Sequence, residues 1–190
     1  MSSPTDEEIA FKVQQGDTEA FGILVERYEQ KMLRYASKFL FGREDSEDVV
    51  QDVFLKAYAN IQGFNTNRRF SPWLYRIAHN EFINTLHKHA RLPVPFFDPD
   101  TLFPHPLSNE SADRAIHEKE LRAALDDSLG KLDEKYREPL VLYFFEDLSY
   151  QEIAEVMQIP ISTVGVRISR GKQQLLQRSP DLQHTYGSQF

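Results

Sequence analysis

The sequence predicts an all-α protein: two small helical domains joined by a proline-rich linker. Three observations carry this. Apolar residues recur at helical spacing through both halves of the chain, and no segment gives a convincing strand pattern. Pro93, Pro95, Pro99, Pro104 and Pro106 crowd one short stretch and rule out a long helix there. Leu148 to Lys172 carries the caps, turn and apolar seam of a helix-turn-helix. A length of 190 residues is enough for one large or two small domains.

Thr5 to Gln15 reads as a short helix with Ile9, Ala10 and Val13 on one face, broken by Gly16-Asp17. Asp17 or Thr18 caps the next, from Glu19 to about Leu40. There Phe21, Leu24, Val25, Tyr28, Met32, Tyr35, Ala36 and Phe39 recur at helical spacing. Asp45 or Ser46 caps a third helix, running to about Ile61 along a stripe of Val49, Val50, Val53, Phe54, Ala57, Tyr58 and Ile61. Its acidic first turns suit the positive end of the helix dipole. Gly63 to Pro72 is a polar loop. Ser71 is expected to cap, and Pro72 to open, a helix from Trp73 to about Ala90. Its inward face is Trp73, Leu74, Ile77, Ala78, Phe82, Ile83 and Leu86. These elements make a first domain, 1–91.

The linker, 92–112, also carries Phe96, Phe97, Leu102 and Phe103, which a purely solvated tether would lack. Those aromatics are expected to dock on the flanking domains or on a partner. Helices from Ala115 to about Leu129 and from Glu134 to about Phe145 open a second domain, 113–178. In its helix-turn-helix, Ser149 caps the first helix and Glu152 completes a capping box. Gln158 to Ile161 form the turn, because Pro160 forbids an unbroken helix. Ser162 or Thr163 caps the second helix. Ile153, Ala154, Met157, Ile159, Val164 and Ile168 make the expected seam, with Ala154 at the crossing. Residues 179–190 read as a frayed tail.

Composition excludes several function classes. With no cysteine, there is no disulfide, no Cys-ligated zinc and no direct thiol redox sensing. His87 and His89 point to different faces of a helix, so neither a metal site nor a cofactor is expected. The acidic, polar N-terminus is no signal peptide, and no apolar run approaches the roughly 20 residues that span a bilayer. A cytoplasmic protein with no membrane insertion of its own is expected.

The net charge of −7 argues against DNA binding until the charges are located. Between Val53 and Pro95 the basic residues Lys56, Arg68, Arg69, Arg76, Lys88 and Arg91 face a single acid, Glu81. Between Ile161 and Arg178 all four charges are positive. The acids gather elsewhere, on surfaces left free for protein partners. Two DNA-facing surfaces on an acidic body are expected.

The first surface interleaves Phe64, Phe70, Trp73, Tyr75 and Phe82 with Arg68, Arg69, Arg76, Lys88 and Arg91, and with Asn65, Asn67, Asn80 and Asn84. Cations for phosphates, rings for bases and amides for base edges are what hold single-stranded nucleic acid. Trp73 and Phe82 are assigned to the core, and Phe64, Arg68, Arg76 and Asn80 to function. The second surface is the second helix of the helix-turn-helix, with Arg167, Arg170 and Lys172 on a one-signed polar face suited to a major groove. An ordinary hairpin with a solvated basic face would share the charge run, but not the coincidence of caps, turn and seam.

Four segments resemble one family. DSEDVVQDVFLKAY (Asp45 to Tyr58) resembles the core-polymerase-binding helix of bacterial sigma factors. DTEAFGILVERY (Asp17 to Tyr28) resembles the opening of their region 2, and FSPWLYRIAHN (Phe70 to Asn80) their promoter-melting segment. The helix-turn-helix resembles region 4. The order, with no region 3 domain, is that of the extracytoplasmic-function (ECF) sigma factors, and the resemblance covers roughly residues 5 to 178.

The resemblance implies a non-enzymatic specificity subunit that binds core RNA polymerase and promoter DNA and is held inactive by an anti-sigma factor. It implies that Asp48, Gln51, Asp52 and Leu55 meet the polymerase. Phe64, Asn65, Arg68, Arg69, Arg76, Asn80 and Lys88 would serve the minus-ten element, where a flipped base is captured. Ser162, Thr163, Arg167, Ser169, Arg170 and Lys172 would serve the minus-thirty-five element. It also implies that the linker threads toward the RNA exit channel. Gly165, Val166, Asn84, His87 and Gln158 depart from the residues usual at their positions, which bears on promoter sequence rather than on function class.

A stand-alone helix-turn-helix regulator, with the N-terminal bundle as a sensing or dimerising domain, is the alternative. The acidic face at Asp48 argues against it. A nuclease would need carboxylates converging on a metal ion, and the spacing of Glu44 to Asp52 spreads them around helical turns instead.

Overall fold

The computed structural model describes residues 3–40, 46–90 and 129–178. They form seven α-helices, and no strand occurs among the described residues. Four helices belong to one compact unit and three to another, divided between Leu92 and Pro93. The linker with its aromatics, the expected helix from Ala115 and the tail lie outside the described residues.

In the first unit, α1 spans Asp6–Gln14. Thr5 caps it, and the reciprocal bond from the Thr5 N–H to the Glu8 carboxylate closes a capping box. Ile9, Ala10 and Val13 are buried. Gly16 follows at φ +102°, a conformation that favours glycine, and turns the chain into α2, Ala20–Leu40. The Asp17 side chain accepts the Ala20 N–H at 3.2 Å, so Asp17 provides the cap. α3 spans Ser46–Asn60 and passes into a 3-10 turn at Ile61–Gly63.

α4 spans Phe70–Ala90 and so starts three residues before the expected Trp73. Pro72 falls within the first turn, where a missing N–H costs no helical bond. α2 packs against both α3 and α4. Tyr35 and Phe39 of α2 meet Phe82 of α4, with ring centroids 4.9 and 5.9 Å apart, and all three are fully buried. Val25, Ile77 and Ile83, expected inside, are half-buried.

In the second unit, α5 spans Glu134–Phe144, α6 Tyr150–Met157 and α7 Ile161–Arg178. Ser149 and Glu152 form the expected capping box. Gln158 adopts the left-handed conformation at φ 56° that ends α6. α7 begins at Ile161, ahead of both expected caps. The carbonyl of Pro160 accepts the Thr163 and Val164 N–H groups, which puts Pro160 at the cap position. The seam holds Ile153, Met157, Val164 and Ile168, and adds Val156 and Val166, all buried. Ala154 and Ile159 are half-buried.

Candidate nucleic-acid interface

The loop between the 3-10 turn and α4 is built from its anchors outward. Phe64 is 5% exposed, and its ring lies 5.4 Å from Phe70 and 5.1 Å from Trp73. Phe70 also meets Tyr28 of α2 edge-on at 5.6 Å. This aromatic cluster fixes both ends of the loop to the helical core. Between them the Asn65 side chain accepts the Asn67 N–H at 3.0 Å, and the Asn65 carbonyl accepts the Arg68 N–H at 2.9 Å. The chain therefore turns on Asn65. Asn65, Asn67, Arg68 and Arg69 are all exposed at its tip.

Phe64 was expected on the nucleic-acid side and Trp73 in the core. The structure overturns the first: Phe64 is buried, while Trp73 packs against it and Phe70 and is only half-buried. Phe64 is wedged among other rings because the 3-10 turn aims it inward. Arg76, Asn80 and Asn84 follow Trp73 at helical spacing along α4 and are exposed, so loop and helix present one polar stripe. Tyr75 and Phe82 are buried. The Lys88 side chain lies outside the described ones.

α3 presents a second face. Asp48, Gln51 and Asp52 are exposed, and Leu55 is 60% exposed one turn further on. Tyr58, 41% exposed, continues the row and sets its ring 5.1 Å from Phe21. The opposite face, Val49, Val50, Val53, Phe54 and Ala57, is buried. Lys56 is paired with Glu81 of α4, so the acids at Asp48 and Asp52 dominate the outward face.

On α7, Ser162 is half-buried, Ser169 is exposed, and Arg170 and Lys172 are half-buried. The Lys172 ammonium sits 5.4 Å from the centroid of the Phe144 ring. Two expected contacts turn inward: Thr163 is fully buried and Arg167 is 9% exposed. The burial of Thr163 follows from α7 starting early, which rotates it from the cap into the helix interface. Gln173 is exposed, one turn beyond Ser169, and only the helix register reveals it as part of this face.

The described residues contain no group of three or more His, Asp or Glu that could hold a metal ion. No helix among them is long and apolar enough to cross a membrane.

Two family models match the chain, sigma-70 region 2 over residues 24–92 and sigma-70 region 4 over residues 122–175. The RNA polymerase sigma-H factor of Pseudomonas aeruginosa is 36% identical over 183 residues, covering 91% of this chain and 93% of that protein. The ECF RNA polymerase sigma factor SigW of Bacillus subtilis is 35% identical over 179 residues, covering 90% and 95%. This chain belongs to the ECF sigma factors. Membership sets aside the stand-alone regulator: the protein is a transcription-initiation factor that directs RNA polymerase to promoters, and its family is not one of enzymes.

Solved structures agree with the sigma-factor fold. CnrH, in a complex with the cytosolic domain of CnrY, superposes with a TM-score of 0.65 at 29% identity, over 90% of this chain and 94% of that one. The sigma factor RpoE, in a co-crystal with the anti-sigma factor NepR from Bartonella quintana, shares the fold at a TM-score of 0.62 and 23% identity. That match covers 83% of this chain and 94% of RpoE.

Proposed function

We propose that this sigma factor works through three faces, each with one partner. Asp48, Gln51, Asp52 and Leu55 of α3 bind core RNA polymerase. Asn65, Arg68 and Arg69 of the loop, with Arg76, Asn80 and Lys88 of α4, bind the melted minus-ten element. Ser162, Ser169, Arg170 and Lys172 of α7 read the minus-thirty-five element and its phosphates. Residues 1–91 then act as region 2, 113–178 as region 4, and 92–112 as the tether. The work is binding without bond chemistry, in the cytoplasm, and melting is driven by preference for the open strand.

One observation supports this most directly. Leu55 and Tyr58 stand exposed beside three exposed polar residues on a helix whose other face is fully used in the core. An apolar row rimmed by acids is the composition of a protein-binding patch and is ill-suited to DNA. Phe64 no longer stacks on bases in this reading. It anchors the loop, and the half-exposed Trp73 offers the ring for stacking. Thr163 and Arg167 support the recognition helix from within.

The complexes of CnrH with CnrY and of RpoE with NepR suggest the regulator. A protein of the anti-sigma class holds this chain away from polymerase until released, and the linker aromatics Phe96, Phe97 and Phe103 are its candidate contacts.

Core binding tests the central claim. Labelled protein titrated into purified core enzyme is expected to bind one-to-one. Asp48→Arg is expected to weaken binding by about tenfold or more, 1.4 kcal/mol. Equal affinity in the folded variant would remove the α3 face from the interface.

A further inference from the structure

Besides the aromatic cluster, the backbone at both ends of the polar loop is bonded to a single helix. Gln14, in the last turn of α1, donates from Nε2 to the carbonyl oxygens of Ile61 at 2.7 Å and Phe64 at 2.8 Å. Gln62 reaches back, its Nε2 lying 3.3 Å from the Gln14 carbonyl oxygen. At the other end of α1, the Glu7 carboxylate accepts the Phe70 backbone N–H at 2.9 Å. That N–H opens α4 and has no partner within its own helix. The loop leaves the 3-10 turn under Gln14 and enters α4 under Glu7. α1 spans it as a strap.

We infer that α1 is the positioning element of the minus-ten loop and that Gln14 and Glu7 are its positioning residues. The inference rests on the reading of loop 64–69 as a base-reading element. The side chains at the loop tip are exposed, and the Asn65 bond sets only the local turn there. Base readout needs donors and acceptors fixed before the base arrives, because a loop ordered only on binding spends binding free energy on its own ordering. Gln14 and Glu7 add to that order at the backbone of both loop ends. Both are half-buried, and their bonds are to backbone groups, so the strap constrains the loop whatever its side chains are.

The test uses core polymerase reconstituted with the full chain and a promoter library randomised across both elements, with transcripts sequenced. Gln14→Leu keeps the bulk and removes both donors. Gln14→Lys keeps a donor within reach of the two carbonyls. Wild type is expected to select bases in both elements. Gln14→Leu is expected to lose about fivefold of the minus-ten selectivity, as the loss of two hydrogen bonds to a fixed loop implies. Its minus-thirty-five selectivity and core affinity should stay unchanged, and Gln14→Lys should recover most of the loss. Glu7→Leu should behave like Gln14→Leu.

A merely structural role would lower core affinity and depress all promoters equally, with base preference intact, and that result overturns the inference. Unchanged behaviour of Gln14→Leu overturns it too. If wild type itself shows no minus-ten preference, the reading of the loop is what fails, and the strap falls with it.

Discussion

Asp6 shows how much a single side chain decides at the residue scale. One carboxylate oxygen pairs with Arg27 at 2.6 Å, and the other accepts the Tyr28 hydroxyl at 2.6 Å. The start of α1 is thereby locked to the middle of α2. Burial, helped by the bond to Asp6, pushes the Tyr28 phenol well above its ordinary value. The folded protein therefore keeps a proton that the unfolded chain releases near pH 10. Stability from this group is complete below about pH 10 and is lost as pH rises beyond it. Urea midpoints of wild type and Tyr28→Phe are expected to draw together as pH rises above about 10. A gap that stays constant would mean the phenol is not held protonated. Residue identity alone did not reveal this pairing, because Asp6 and Tyr28 are far apart in the sequence.

At the element scale, α7 has two jobs, and its sequence advertises only one. The run of positive charge marks a DNA-facing helix. The other job is packing against α5, and it depends on Gly171. A Cβ there would lie 2.8 Å from Leu140 Cδ1 and 3.2 Å from the Tyr136 carbonyl oxygen. Glycine costs an exposed helix interior about 1 kcal/mol relative to alanine. Here its absence of a side chain lets the helices close. Gly171→Ala is therefore expected to destabilise the second unit by about 1–2 kcal/mol, because overpacking outweighs propensity. Thermal unfolding followed by circular dichroism measures it, and a raised midpoint would show that α5 and α7 have slack. The same helix explains the misplacement of Thr163. Pro160 rather than Ser162 or Thr163 holds the cap, so the register shifts and a presumed DNA contact becomes core.

At the scale of the whole molecule, charge separation governs behaviour. The net charge of −7 repels DNA, while two stretches, 53–95 and 161–178, carry ten basic residues against one acid. On the proposed reading, each face alone is a weak reader. Once polymerase holds the chain, the second promoter contact becomes effectively intramolecular, at roughly millimolar local concentration. Promoter duplex is expected to bind the holoenzyme at least about a hundredfold more tightly than the free chain at the same salt. Anisotropy titrations of one labelled promoter, with and without core enzyme, make the comparison. Equal affinities would mean that polymerase contributes nothing to promoter affinity.

The sequence by itself determined the described helices to within a few residues, the capping box at Ser149, the helix-turn-helix and the family. These depend on local chemistry: a cap needs a hydroxyl and a carboxylate three residues apart, and an amphipathic helix needs only a period. Four motifs in one order then identified the sigma factor. Tertiary structure alone decided which aromatic ring at the loop is fully packed in, which α7 residues turn inward, and what holds the loop in shape. Phe64 and Trp73 are both large and apolar, and both lie close in sequence to the same polar loop. Which of them is buried depends on how the 3-10 turn aims the chain at α4. The bonds from Gln14 and Glu7 to the loop join residues about 50 and 60 positions apart, and no local pattern encodes them. Such contacts exist only once the core has brought α1 beside the loop.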